Sequence, residues 1–111
     1  MNKISEKTLI EIKHRSENRC EVLGCMRLDW RGLHAAHIVH RGIGGRSGEA
    51  EKQINDARNV AYLCAYHHDV LDGRNYQPWE RKEFLPLLKE RLNWGEWAKE
   101  THEKGIKVRL V

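Results

Sequence analysis

Four residues of the chain have the types and the spacing of a tetrahedral metal site. Cys20 and Cys25 flank a short turn, and Cys64 and His67 form a second pair much later in the chain. Thiolate sulfur and imidazole nitrogen are ligands of structural zinc, and each pair must lie on a turn that aims both side chains at one ion. The alternative is three unrelated thiols, because free cysteine packs like a small hydrophobic residue. The two pairs favour a structural Zn²⁺ site.

Four further residues are of types used in phosphate hydrolysis. The imidazole of His37, which ends a candidate strand, can take a proton from water, although a structural histidine is the alternative. His68 and Asp72 are four residues apart, so on a helix they share a face and offer a divalent ion two ligands. An ordinary surface pair is the alternative there. Asn59 can lock a loop through backbone hydrogen bonds, or can simply occupy a turn.

The charge balance points weakly to a nucleic-acid partner. Lys and Arg number 20 against 16 acidic residues, for a net charge of +4. Arg41, Arg46 and Arg58, with Lys52, can neutralise DNA phosphates near the site. A solvated loop surface explains the same charges equally well, because charge alone does not identify a ligand.

Size and cysteine usage limit the class of protein. A chain of 111 residues fits one domain, 1–111. The three cysteines are an odd number, and the sequence contains neither a signal-peptide pattern nor an apolar run long enough to span a membrane. These features argue against a disulfide framework. They favour a cytoplasmic protein without membrane contact.

The first half of the chain must position the early candidate residues. Ser5 begins a predicted N-terminal helix of roughly 12 residues, in which Leu9, Ile10 and Ile12 form the apolar series. A tight turn follows at 20–25. Residues 30–39 alternate as short paired strands do. The glycine-rich segment 41–51 predicts a loop.

The second half supplies the remaining elements. Residues 59–64 predict a strand, and one or two helical turns follow from position 65 and close at Gly73. Residues 78–99 favour a helix with a kink or break at Pro86 or Gly95. The tail from 105 is either an edge strand or a mobile basic segment. Core packing is the expected role of the aromatic residues of this region, which are Trp79, Phe84, Trp94 and Trp97.

Taken together, these residues resemble the HNH endonucleases of the ββα-metal (His-Me finger) group, in particular the small phage and prophage type. The segments that carry the resemblance are CEVLGC, LHAAHIVHRGIGG and NDARNVAYLCAYHHDVLDG, within residues 15 to 74. The resemblance implies an α+β fold. In it, a short antiparallel hairpin and a helix surround a metal, beside a zinc knot, with helices flanking both ends.

The same resemblance implies a role for each motif residue. His37 corresponds to the general base, Asn59 to the residue that braces the loop, and His68 to a ligand of a catalytic Mg²⁺ or Mn²⁺. Asp72 stands where relatives often have a second metal-binding histidine. The four zinc candidates fall where many members hold a structural zinc with four cysteines, His67 replacing one of them.

One position departs from the family pattern. The residue before the general base is usually an aspartate or histidine that binds the metal, and here it is Ala36. Asp72, His34 and His40 are the candidates to fill this gap, and the alternative is an ion held by few protein ligands together with water.

Three functions follow as hypotheses. The first is a metal-dependent DNA endonuclease that nicks one strand, acting as a monomer or weak dimer and serving phage DNA packaging beside a terminase. The second is a zinc-stabilised DNA-binding module without activity, for which Ala36 is the main argument. The third, a zinc-knotted protein-interaction adaptor, rests on composition alone.

Overall fold

The computed structural model describes residues 4–25, 27–28, 32–39, 52–73 and 78–106. In chain order the elements are α1 (Glu6–Ser16), β1 (Leu33–His37), the 3₁₀ turn Ala57–Asn59, β2 (Val60–Cys64), α2 (Ala65–Leu71), α3 (Pro78–Leu92) and α4 (Trp94–Glu103). The two strands form an antiparallel pair, and α2 continues directly from β2 beside a cluster of three cysteines and a histidine. The predicted α+β class, a hairpin and helix with a potential zinc knot and flanking helices, is therefore confirmed.

Helix α1 begins and ends where its flanking residues dictate. The side-chain oxygen of Ser5 accepts a hydrogen bond from the backbone N–H of Thr8, which satisfies a donor that the first helical turn leaves unpaired. Glu17 then adopts a left-handed backbone conformation and ends the helix. The buried residues Thr8, Ile12 and Ser16 are spaced by four and form one stripe. Ile10, part of the predicted apolar series, is 61% exposed instead.

The hairpin pairs strands that are distant in sequence. Leu33 lies opposite Cys64 and His37 lies opposite Val60, in antiparallel register. The expected pairing of short strands within 30–39 is wrong in this respect, because the described part of that segment holds one strand whose partner is β2. Every residue of β2 is buried, which places this strand at the centre of the domain.

Each face of the hairpin packs against different helices. On one face, Val60 and Tyr62 pack with Ile12 of α1. On the other face, Ala61 and Leu63 belong to the larger core, with residues of α2, α3 and α4. Successive side chains of a strand point to opposite faces, so each β1 residue lies on the same face as the β2 residue opposite it.

The C-terminal helical region breaks at a residue that sequence patterns did not single out. Helix α3 runs through Pro86 without interruption and ends at Leu92, and Asn93 separates it from α4 with a left-handed backbone (φ 60°). The predicted break therefore occurs, but it lies at Asn93, two residues before Gly95, and not at Pro86. Trp94, Trp97 and Phe84 are buried as expected. Trp79, in contrast, is 57% exposed, so its predicted core role is wrong.

A buried carboxylate fixes the N-terminal helix and the first cysteine turn to the hairpin. The side chain of Glu21 is fully buried, and its Oε1 accepts the backbone N–H of Tyr62 at 2.8 Å. Arg15 of α1 donates to both carboxylate oxygens, at 2.8 and 2.6 Å, and Arg91 of α3 donates at 3.2 Å. A buried charge is tolerated where it is paired and hydrogen-bonded in this way. Glu21 thereby anchors the turn that carries Cys20 and Cys25.

Within the described ranges, no helix combines the length and the apolar composition needed to cross a membrane.

Candidate metal centre and active site

The four predicted zinc ligands meet in one cluster. Their ligand atoms all lie within 4.8 Å of one another. The Sγ atoms of Cys25 and Cys64 are 4.0 Å apart, and Nδ1 of His67 lies 3.2 Å from Cys64 Sγ and 3.5 Å from Cys20 Sγ. A tetrahedral ion with Zn–S bonds of about 2.3 Å and a Zn–N bond of about 2.0 Å requires S–S separations of about 3.8 Å and S–N separations of about 3.5 Å. The cluster therefore fits zinc in both donor type and size.

Local structure explains how β2 and α2 deliver two of these ligands. Cys64 is the last residue of β2 and the N-cap of α2, and its sulfur accepts the backbone N–H of His67 at 3.5 Å. One helical turn then places the imidazole of His67 over the same sulfur. Cys20 and Cys25 come from the turn after α1, which a backbone hydrogen bond from Cys25 to the carbonyl of Val22 closes at 3.0 Å.

Burial and hydrogen bonds act differently on the ionisation of the residues in the cluster. Burial raises the pKa of the Cys20 thiol to about 12, with additional repulsion from neighbouring thiolates. Burial opposes ionisation of Cys64 too, but hydrogen bonds from the His67 backbone and from Arg27 lower its pKa overall. Burial lowers the pKa of His67 and so favours the neutral ring, which is the form that binds a metal. A bound Zn²⁺ would offset the repulsion among the thiolates.

Two residues outside the predicted set support this cluster. Nη1 of Arg27 donates to Cys64 Sγ at 3.3 Å, and its guanidinium lies 5.9 Å from the centre of the Tyr66 ring. Glu80 of α3 faces the other side of His67, with Oε1 3.9 Å from Nε2, and accepts the Tyr66 hydroxyl at 2.5 Å. Carboxylates near the outer nitrogen of a ligating histidine commonly hold the ring in orientation. No sequence signal separated these residues from ordinary surface charges.

Asn59 is fully buried and has the full set of partners that a loop clamp requires. Its Oδ1 accepts the Val39 N–H at 2.9 Å and the indole N–H of Trp94 at 3.1 Å. Its Nδ2 donates to the carbonyls of Val39 at 3.0 Å and Ile54 at 2.9 Å. A carboxamide offers two donors and two acceptor positions, and here all are used. The side chain therefore fixes the backbone two residues after His37.

His37 ends β1, and its ring is held from outside the strand. Its Nε2 lies 2.8 Å from Oδ1 of Asn55, in the turn before the 3₁₀ segment. The ring is partly buried. No sequence signal distinguishes Asn55, because an asparagine before an aspartate is typical of many turns.

His68 lies between two of its predicted partners. Its Nδ1 is 3.1 Å from Nδ1 of His34, and its Nε2 is 3.1 Å from Oδ2 of Asp72. Two imidazole nitrogens at neighbouring positions of an octahedral ion, each about 2.1 Å from it, lie about 3.0 Å apart. The His34 and His68 pair has this separation. Among the described residues, however, the cysteine–histidine cluster is the one group of three or more candidate ligands that lie close together.

The strand register places the candidate base and the histidine pair on opposite faces. His34 lies opposite Leu63, whose face packs against the C-terminal helices, whereas His37 lies opposite Val60, whose face packs against α1. Ala36 shares the face of His34 and is only 1% exposed. His34 thus reaches α2 from the face on which a ligand at position 36 would lie. A phosphate in contact with both sites would lie around the end of β1.

The predicted phosphate contacts are only partly described. Arg58 is bound by acidic partners, Asp56 at 2.9 Å and Glu100 at 2.6 Å, which raise the pKa of its guanidinium. This pairing reduces the positive charge that Arg58 can present to DNA. Arg41, Arg46 and His40 lie outside the described residues.

A scan against protein families relates the chain to known enzymes. A family model described as HNH endonuclease matches residues 20–75, which is half of the chain. No curated protein and no solved structure gave a significant match. The matched segment contains the zinc candidates together with His37, Asn59, His68 and Asp72. It confirms the family that the sequence motifs predicted, and the chain therefore belongs to the HNH endonucleases.

Proposed function

We propose that the protein is a metal-dependent DNA endonuclease that hydrolyses phosphodiester bonds and nicks one strand at a time. Asn59 carries this proposal. It hydrogen-bonds both polar backbone atoms of Val39, two residues beyond His37, which is the bracing role that the family resemblance gives to the middle residue. A buried asparagine whose hydrogen bonds are all made holds the backbone around it in one conformation.

In this proposal His37 is the general base. Its imidazole accepts a proton from the attacking water, and Asn59 holds the backbone that follows His37 in place for that transfer. A divalent ion, when bound, polarises the scissile phosphate and stabilises the leaving 3′ oxygen. His34 and His37 lie on opposite faces of β1, so in this proposal the phosphate meets His37 and the ion around the end of that strand.

His68 and His34 are the proposed protein ligands of the catalytic ion. Their Nδ1 atoms already have the separation of two neighbouring ligands. Asp72, on the opposite nitrogen of His68, then orients that ring and makes it a stronger donor. A pair of imidazoles favours Mn²⁺ over Mg²⁺, which prefers carboxylate and water ligands. A structural Zn²⁺ on Cys20, Cys25, Cys64 and His67 completes the proposal.

An inactive, zinc-stabilised DNA-binding module is the second candidate function. Ala36 favours it, because the position that usually supplies a metal ligand is a methyl group buried in the core. His34 reaching His68 argues for the enzyme, since the chain then offers a replacement ligand from the same face. DNA as partner, action as a monomer or weak dimer and a role beside a phage terminase are predictions from the resemblance.

Cleavage of supercoiled plasmid in Mg²⁺ or Mn²⁺ separates the two functions. The enzyme hypothesis predicts nicking by the wild type and a loss of about 10²-fold or more in His37→Ala, the scale of general-base catalysis. His14→Ala is the matched control, because His14 is exposed on α1 and has no proposed role. DNA binding without nicking in either metal would favour the inactive module.

A further inference from the structure

We infer that Asn55 is a positioning residue that fixes the ring orientation and the tautomer of His37. The inference rests on the proposed function, in which His37 is the general base. It starts from the contact of 2.8 Å between Asn55 Oδ1 and His37 Nε2. This contact joins residues 18 positions apart, so it is a product of the fold and not of local sequence.

The backbone around Asn55 is anchored on both sides. The hydroxyl of Thr8, on α1, donates to the Asn55 carbonyl at 2.9 Å, and Nδ2 of Asn59 donates to the preceding carbonyl, that of Ile54, at 2.9 Å. One residue earlier, the carbonyl of Gln53 accepts the indole N–H of Trp97 at 2.7 Å. The turn that presents Asn55 is thus tied to α1, to the 3₁₀ turn and to α4. A side chain on such a turn can hold a ring in one orientation.

The chemistry of the contact decides which nitrogen carries the hydrogen. A carboxamide oxygen can only accept, so Nε2 of His37 donates, and in the neutral ring the lone pair then resides on Nδ1. Because the amide is uncharged, it orients the ring without the strong preference for imidazolium that a carboxylate would impose. A base must be neutral to accept a proton, and the amide orients the ring while leaving this neutral form available.

Asn55 also lines an open groove of about 840 Å³ between α1 and residues 52–58. The charged groups along this groove are Lys7, Glu11, Lys52, Asp56 and Arg58. Because Asn55 is only partly buried, its substitution removes the contact with His37 without opening the core. This makes a side-chain test feasible in the folded, full-length protein.

The first test reads the ring directly and does not require activity. Imidazole ¹⁵N spectra of the zinc-loaded protein should show the Nε2–H tautomer of His37 as the dominant neutral form. Asn55→Ala should mix the tautomers, and Asn55→Asp should keep Nε2–H and raise the pKa of His37 by about one unit or more. Glu11→Gln, which alters the same groove, should leave the ring unchanged. Identical His37 signals in wild type and Asn55→Ala would overturn the inference.

The second test uses nicking. Asn55→Ala should reduce kcat by about tenfold to a hundredfold with unchanged affinity for uncleaved DNA, since misplacing a catalytic group has effects of this size. In a His37→Ala background the same substitution should have no further effect, because both changes act through one ring. Full additivity of the two losses would contradict a role through His37. If the wild type does not nick at all, the proposed function fails, and the ring spectra still decide the role of Asn55.

Discussion

Replacing Asn59 by alanine is expected to destabilise the domain strongly. The substitution removes four hydrogen bonds, two with Val39, one with Ile54 and one with Trp94, at distances from 2.9 to 3.1 Å. Each contributes about 1 kcal/mol net, and a buried partner left unsatisfied costs about 1–3 kcal/mol. Val39 is half-buried and can regain water, whereas the indole N–H of Trp94 and the carbonyl of Ile54 are buried. With about 1 kcal/mol for each Val39 bond and about 1–3 kcal/mol for each of the two buried partners, the expected loss in the free energy of unfolding is about 4 kcal/mol or more.

Urea unfolding followed by far-ultraviolet circular dichroism, with zinc in excess, measures this loss. Asn59→Asp is the matched variant, because it keeps the shape and one acceptor but turns both donors into a charged oxygen facing two carbonyls. It should be at least as unstable as the alanine variant. Hydrogen exchange at the Val39 amide should accelerate in both variants. An Asn59→Ala protein within about 1 kcal/mol of wild type would refute the reasoning, because the loss of four hydrogen bonds, two of them fully buried, should destabilise the domain by more than this.

Three further predictions concern the two metal sites and the loss of folding stability at low pH. The purified protein should contain about one zinc per chain by elemental analysis, and Cys64→Ser should lose the metal and unfold. If the parent protein contains no zinc and the Cys64→Ser variant is also metal-free and stays folded, the zinc knot is contradicted. His34→Ala should weaken Mn²⁺ binding by about tenfold or more in calorimetry without releasing zinc, and unchanged affinity would exclude His34 as a ligand. Burial opposes ionisation of Asp56, but hydrogen bonds from Arg58 outweigh it and hold the pKa of Asp56 below its ordinary value. The ionised Asp56 therefore stabilises the fold above its ordinary pKa of about 3.9, and this stabilisation is lost as the pH falls below that value. The difference in unfolding free energy between wild type and Asp56→Asn should shrink as the pH falls from about 5 to 2. A difference that stays constant over this range would contradict the assignment.

The sequence predicted the local elements and the zinc cluster well because both depend on short spacing. The Ser5 cap begins α1, and the pairing of Cys64 with His67 requires only the turn from β2 into α2. Ligand spacing of this kind implies a site almost independently of the rest of the fold. The metal-binding side of His68 was harder to predict, because i,i+4 spacing places Asp72 nearby but does not decide which ring nitrogen it faces.

The remaining features depend on contacts between distant segments, which no local pattern encodes. Asn55 meets His37 only because β1 and the turn at 53–56 meet in the fold. Glu80 reaches His67 from α3, beyond the segment that carries the family motif. The helix break falls at Asn93 and not at Pro86, and the two tryptophans that follow it, Trp94 and Trp97, are buried in the core. Propensity is overridden in such places by tertiary packing.

The distance between the catalytic ion and the His37 ring tests the central claim most directly. Mn²⁺ bound to the zinc-loaded protein broadens the NMR signals of nearby rings, and the effect falls steeply with distance. We expect strong broadening at His34 and His68, clear broadening at His37, and none above background at His102, which is exposed on α4. Broadening of His37 no greater than that of His102 would place the base out of reach of the ion and contradict the proposed hydrolysis.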